Sequence, residues 1–241
     1  MAVRAVLFDY SGTLFRLEED DSWFTGMQVD EREVDGHVQA ELMRRLTAPT
    51  GVFAEMTTGS DVAAEAAASE AYEAWVNRDL EPHLHREAYL HVLRESGLPG
   101  HQAAKLYERV IDPASWTPYP DTADVLKSLR RQGIKTAVVS NIAFDVRPAF
   151  EAIGAAGDVD EFVLSFEVGA VKPSPAIFQT ALTRLNVAAE YAVMVGDSEE
   201  ADGGARALGC GFLLVDPLPT SERPDALRRA LTRYGVDLDA K

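Results

Sequence analysis

Five short apolar runs alternate with amphipathic stretches, and that alternation constrains the fold more than any other feature of the chain. The runs, rich in β-branched or aromatic residues, are Val3–Phe8, Thr136–Ser140, Glu161–Ser165, Tyr191–Gly196 and Gly211–Val215. Their composition predicts buried strands. Between and after them lie stretches at helical spacing: Thr122–Gln132, Asp145–Ile153, Pro175–Leu185, Asp202–Leu208 and Arg223–Tyr234. Strand alternating with helix predicts an α/β fold, a Rossmann-like, doubly wound parallel sheet.

The alternation breaks once. After Val3–Phe8 no further strand pattern comes until Thr136, and the interval from Phe15 to Thr117 reads as mostly helical. An inserted helical domain is expected there, with helices around Glu31–Leu46, Asp61–Arg78, His85–Ser96 and His101–Val110. Turn signals separate them at Ala48-Pro49-Thr50-Gly51, Glu81-Pro82 and Gly97-Leu98-Pro99-Gly100. The expected division is a core of residues 1–14 and 118–241 and a helical insertion of residues 15–117. At 241 residues the chain is long enough to bury a substantial core.

Lys and Arg number 23 against 39 Asp and Glu, a formal net charge of −16. Such a field repels phosphate backbones and anionic bilayers, so neither a nucleic acid nor a membrane is an expected partner; a local pocket for a small anion stays compatible with it. Cys210 is the sole cysteine, which excludes an intrachain disulfide or a cysteine zinc cluster and fits a reducing compartment. Its setting, Leu208-Gly209-Cys210-Gly211-Phe212, reads as a small buried hydrophobe. The apolar start of the chain is too short for a signal peptide, and no segment approaches a membrane span, so a cytoplasmic location is expected. No feature of the sequence sets an oligomeric state.

Ligands of a doubly wound sheet bind beyond the carboxyl ends of its strands. The residues there are Asp9-Tyr10-Ser11-Gly12-Thr13-Leu14 after the first strand, Ser140-Asn141 at the second and Gly196-Asp197-Ser198 with Asp202 after the fourth. Val171-Lys172-Pro173-Ser174-Pro175 stands ahead of a helix, its prolines fixing the backbone around Lys172. Carboxylates with hydroxyl and water ligands suit a hard cation such as Mg²⁺. One carboxylate can attack phosphorus while the cation and an ammonium offset charge. Turn and capping chemistry would also select Asp, Ser and Asn at such positions, and Asp145 reads as a cap of this kind.

Taken in order, Phe8-Asp9-x-x-Gly12-Thr13-Leu14, Ser140-Asn141, Lys172-Pro173 and Gly196-Asp197-Ser198 with Asp202 resemble the four motifs of the haloacid dehalogenase superfamily of hydrolases. The resemblance covers Ala2–Leu14 and Tyr119–Pro217, and the insertion falls where one branch of that superfamily carries a helical cap. It implies Asp9 as a nucleophile that forms an aspartyl intermediate. It implies a Mg²⁺ ion held by Asp9, Asp197 and the main-chain carbonyl of Ser11, with Ser140 and the Asn141 amide holding a phosphoryl group. Lys172 would stabilise the nucleophile, and Asp202 would orient Lys172 or a water beside the ion. The implied partner is a small phosphorylated metabolite.

One position departs from the family pattern. Its phosphatases carry Asp-x-Asp in the first motif, the second Asp serving as general acid and base, and here that position is Ser11. A hydroxyl does not titrate near neutral pH, and a positioned acid–base group is worth about 10²–10⁴ in rate. Three readings stay open. The chain is a phosphotransfer enzyme whose leaving group needs no proton or whose acid comes from Glu199, Glu200, the insertion or the substrate; or it is a dehalogenase, which needs no such acid; or it is a binding protein that has lost turnover. Trp23, Phe24, Trp75, Arg44, Arg45, His83, His85 and Arg86 are the insertion's candidates for substrate contact, with core or surface roles as the alternative for each. The pair His83 and His85 lacks a third ligand at metal-like spacing, which argues against zinc.

Overall fold

A computed structural model describes residues 2–18, 21–47 and 70–239. The central sheet has five parallel strands: β1 (Ala5–Phe8), β6 (Lys135–Ser140), β7 (Glu161–Leu164), β8 (Ala192–Gly196) and β9 (Gly211–Leu214), in the spatial order β7-β6-β1-β8-β9. All five expected strands are present. The two-residue period of a strand decides which core each side chain enters. Val6, Phe8, Val138, Val193 and Val195 join Leu126, Leu129, Phe150 and Leu227 on one face, whereas Ala5, Leu7, Val139 and Met194 join Ile177, Phe178 and Leu182 on the other. Each fully buried aliphatic or aromatic side chain contributes about 1.5–3 kcal/mol, so helices on both faces are what this composition demands. Those helices are Thr122–Arg131, Arg147–Ala152 and Ala226–Tyr234 on the first face and Pro175–Leu185 on the second.

The chain divides into two compact units, Met1–Glu18 with Trp116–Lys241, and Glu19–Ser115. The first unit keeps the stems of the insertion, because β2 (Phe15–Leu17) pairs antiparallel with β5 (Trp116–Pro118). Sequence periodicity does not reveal three-residue strands, and these are fixed by tertiary contacts instead. Tyr10 packs on Phe15 and on Trp116 with ring centroids 5.0 Å apart in both cases, and Phe15 meets Phe150 edge-on at 4.9 Å.

In the second unit the expected helix from Glu31 begins only at Gly36. The preceding residues form a hairpin, β3 (Gln28–Val29) with β4 (Arg32–Glu33), which turns through Asp30 and Glu31 at φ of 48° and 64°. No glycine marks this turn, so its sequence signal is weak. The Asp35 carboxylate accepts from the amides of His37 (2.9 Å) and Val38 (3.0 Å) and so starts the helix Gly36–Thr47. Helices Glu70–Asn77, Pro82–Glu95 and Gly100–Ile111 follow, the first two sharing a cluster of Ala74, Trp75, Ala88 and Val92. The expected turn at residues 48–51 and the first part of the helix from Asp61 lie outside the described residues. No described helix is long and apolar enough to cross a membrane.

Candidate active site

Strand register puts the motif residues at one edge of the sheet. Phe8 is level with Val138 on β6 and Val195 on β8, so Asp9, Ser140 and Asp197 all fall within the next two residues of adjacent strands. The order of the strands also places the switch point at β1, whose successor β6 lies on one side while β8 lies on the other. The Asp9 amide donates to the Val195 carbonyl (2.9 Å), extending the ladder to the site itself.

Lys172 gathers these groups. Its ammonium donates to Asp9 Oδ1 and to Asp202 Oδ1, both at 2.6 Å, and Ser140 Oγ makes a longer contact of 3.4 Å with the same Asp9 oxygen. All four residues are buried. The Lys172 backbone is braced from both sides, its N–H donating to Asn141 Oδ1 (2.7 Å) and its carbonyl accepting from Asn141 Nδ2 (2.9 Å). The Asn141 carboxamide is therefore engaged on both sides by the Lys172 main chain. Asp202 Oδ2 accepts from the Ser198 amide at 3.0 Å.

The segment Asp202–Leu208 is a 3₁₀ turn rather than the expected α-helix. Gly203 and Gly204 disfavour the α-helix, and a Cβ on Gly204 would stand 2.7 Å from the Pro173 carbonyl. That close approach carries Asp202 against the Lys172 loop.

One carboxylate oxygen from each of Asp9, Asp197 and Asp202 lies within 4.8 Å of the other two. Three carboxylates thus face one ammonium. Burial, with the charge of Asp202, raises the pKa of Asp9 to about 6 even though Lys172 pulls it down. Burial and the charges of Asp9 and Asp202 raise Asp197 to about 7. Lys172 stays protonated: burial disfavours its charge, but Asp202 and Asp9 outweigh that and push its pKa up. An excess of buried negative charge among hard oxygen donors is what a divalent cation would compensate.

Elsewhere the candidate residues have other employment. Trp23, Phe24 and Trp75 are buried. Arg44 and Arg45 both bind Glu41, and His83 and Arg86 are exposed. His85 is buried, not at the surface as a polar side chain would suggest. Its Nδ1 lies 3.0 Å from Tyr107 Oη, it stacks on Tyr89 with centroids 4.3 Å apart, and burial lowers its pKa to about 3. Glu199 pairs with Arg206. Arg223, which no motif marks, is buried with its guanidinium on the carbonyls of Gly12 and Thr13.

A doubly wound sheet with an Asp–Lys–Asp cluster at its switch point, a third Asp just past the neighbouring strand and a large insertion after the first strand defines a class of Rossmann-like hydrolases. The family profile described as haloacid dehalogenase-like hydrolase matches residues 3–209, and the chain belongs to that family. Among curated relatives, a ribulose-1,5-bisphosphate 5-phosphatase of Halopiger xanaduensis is 35% identical over 133 residues, covering 52% of this chain and 56% of that protein. A phosphoserine phosphatase of Thermus thermophilus is 34% identical over 160 residues, covering 65% and 62%. The match thus spans little more than half the length of these relatives. Among solved structures, a HAD phosphatase from Thermococcus onnurineus is similar with a TM-score of 0.53 and 25% identity, over 89% of this chain and 86% of that one. The L-2-haloacid dehalogenase of Xanthobacter autotrophicus shares the fold with a TM-score of 0.60 at 22% identity, over 98% and 84%.

Proposed function

We propose that the protein is a Mg²⁺-dependent phosphotransfer hydrolase acting on a small phosphorylated metabolite through an aspartyl intermediate on Asp9. The observation that carries this reading is the approach of the Asp9, Asp197 and Asp202 carboxylates to within 4.8 Å with a single ammonium among them. Oxygens about 2.1 Å from one ion lie about 3–4.2 Å from each other, so donors within 4.8 Å need to close by no more than about 0.6 Å to share Mg²⁺. Asp9, Asp197 and the Ser11 carbonyl would hold it. When bound, the ion would offset the negative charge that the carboxylates and the phosphoryl group bring together. The similarity to phosphatases adds support.

In this reading an Asp9 oxygen forms the new bond to phosphorus as the bond to the leaving oxygen breaks, and water then cleaves the aspartyl phosphate to return the carboxylate and free phosphate. Lys172 fixes the Asp9 rotamer and balances its charge, with Asp202 and Asn141 fixing Lys172 in turn. Ser140 and the Asn141 main chain hold the phosphoryl oxygens. Ser11 supplies no proton at neutral pH. Nor does Glu199, because its hydrogen bonds to Arg206 hold its carboxyl below the usual range. With neither Ser11 nor Glu199 as the acid, the site suits acyl or aryl phosphates, whose leaving groups depart without protonation, unless Glu200, the insertion or the substrate supplies the proton. The helical unit takes the part of a substrate-selecting cap, and a cytoplasmic location suits a metabolite substrate and a single unpaired thiol.

The test is phosphate release from an aryl phosphate and an acyl phosphate, with and without Mg²⁺, by the wild type and Asp9→Asn. Mg²⁺-dependent release that vanishes in the variant is expected. Release indifferent to Asp9→Asn sinks the reading, and halide release from a 2-haloacid without phosphate release would replace it by dehalogenation.

A further inference from the structure

We propose that Arg223 is a positioning residue of the cation-binding loop, holding the Gly12 and Thr13 peptides so that the Ser11 carbonyl stays open to a divalent ion. The inference rests on the Mg²⁺ reading above and extends it to a residue more than two hundred positions from the loop it organises.

Arg223 is 2% exposed and is among the largest fully buried side chains. Burying a guanidinium costs free energy unless its donors are used. Here Nη1 donates to the Gly12 carbonyl at 2.7 Å and the Asp216 carbonyl at 3.1 Å, and Nη2 donates to the Thr13 carbonyl, while Nε has no partner among the described residues. Its targets are main-chain oxygens of the loop that follows Asp9. The planar fork lies over the Tyr119 ring, which limits how it can turn.

The carbonyls of that loop can be accounted for one by one. Tyr10 O accepts from the amides of Leu14 (3.0 Å) and Phe15 (2.9 Å), and Leu14 O accepts from the Tyr119 amide (3.0 Å) and from Thr122 Oγ1 (2.8 Å). Gly12 O and Thr13 O are taken by Arg223. Among the described residues, the Ser11 carbonyl is the one between Tyr10 and Leu14 that has no protein donor. Its peptide plane is set by the Gly12 amide, which donates to Phe15 O at 2.8 Å. The loop therefore leaves open one acceptor and satisfies its neighbours, and Arg223 satisfies two of the four.

The segment from Asp216 to Arg223 is tied to the same part of the chain at further points. Pro217 O accepts from Arg16, Leu218 O accepts from Tyr119 Oη at 2.8 Å, and the Thr220 amide donates to Glu18 Oε1 at 2.7 Å. Loop and segment thus form one hydrogen-bonded unit, and what orders one orders the other.

The experiment titrates Mg²⁺ into the 241-residue wild type, Arg223→Lys and Ile177→Val, following heat of binding and thermal midpoint. Ile177 lies in the core cluster on the other face of the sheet, so Ile177→Val lowers stability without touching the loop. Arg223→Lys, which keeps the charge but loses the fork, is expected to weaken the Mg²⁺ dissociation constant at least tenfold, and Ile177→Val to leave it within twofold. In the unaltered protein, Mg²⁺ is expected to slow amide exchange across residues 216–223. An Arg223→Lys protein that binds Mg²⁺ as the wild type does overturns the inference. Exchange in 216–223 that ignores bound Mg²⁺ also overturns it, and decides the matter if Arg223→Lys does not fold. A wild type that binds no Mg²⁺ overturns the metal reading itself, a result distinct from either.

Discussion

Gly12 stands against Asp197. A Cβ at position 12 would overlap the Asp197 carboxylate, its Cγ 2.9 Å away, and Gly12 has a φ of +75°, where a side chain is strained whatever the space. Absence of a side chain thus lets the loop after β1 close on the carboxylate after β8. Gly12→Ala is expected to lower stability by about 1–3 kcal/mol and to abolish the rise in thermal midpoint on adding Mg²⁺. An Ala variant with the wild-type Mg²⁺ response would show that Asp197 does not take part in holding the ion.

The reason such a glycine can be read from sequence, while Arg223 cannot, lies in how each acts. Asp9, Gly12 and Asp197 sit at fixed offsets from strand ends, Lys172 stands just ahead of a helix start that prolines mark, and the strands announce themselves by apolar runs buried on both faces. Their neighbourhood follows from topology. Arg223 reaches the loop by a chain path that turns through Pro217, Pro219 and a short 3₁₀ turn, and no spacing encodes that path. The ribbon of Phe15–Leu17 with Trp116–Pro118 escaped for a related reason: three residues are too few to show a period, and ring packing against Tyr10 and Phe150 holds them. The Asp202 segment misled because its apolar spacing is helical, while Gly204 serves close contact with Pro173.

Lys172 is the group whose loss should cost most. Its ammonium is the shared partner of Asp9 and Asp202 at 2.6 Å each, and all three are buried. Removing one member of a buried ion pair strands the other charge, at a cost of about 3–5 kcal/mol. Lys172→Met is expected to be destabilised on that scale in urea unfolding at pH 7. Lys172→Met combined with Asp202→Asn should recover part of the loss, because one stranded carboxylate is gone. Strictly additive losses in the double variant would contradict the coupling.

The raised carboxylates give the metal-free protein an unusual pH dependence. Asp197 titrates near 7 and Asp9 near 6 in the folded chain, against about 4 when unfolded. Between those values the folded state binds more protons than the unfolded state, so these groups' contribution to stability declines as pH rises from about 4 to 7. Asp197→Asn removes its share, about 1–3 kcal/mol after allowance for coupling. With metal removed by chelation, wild type and Asp197→Asn are expected to differ little in thermal midpoint near pH 4, the wild type being the less stable at pH 8. Added Mg²⁺ should reverse that order at pH 8. A wild type that outlasts Asp197→Asn at pH 8 without metal would mean that the Asp197 charge is compensated inside the chain.

Ser11 offers a gain rather than a loss. Its side chain is exposed while the residues around it, Tyr10, Gly12 and Thr13, are buried, so a carboxylate at this position meets solvent and costs little stability. Ser11→Asp leaves in place the Arg223 and Phe15 contacts that fix the loop, since none of them uses the Ser11 side chain. If the missing acid limits turnover, the substitution should raise kcat on an alkyl phosphate by at least tenfold, toward the range of about 10²–10⁴ that a positioned acid–base group supplies. The gain on an acyl phosphate should be much smaller, because that leaving group departs unprotonated. The two substrates measured side by side separate protonation from general repair of the site: equal gains on both would mean that Ser11→Asp alters the loop or the ion, and no gain on either would place the limit elsewhere than in proton transfer.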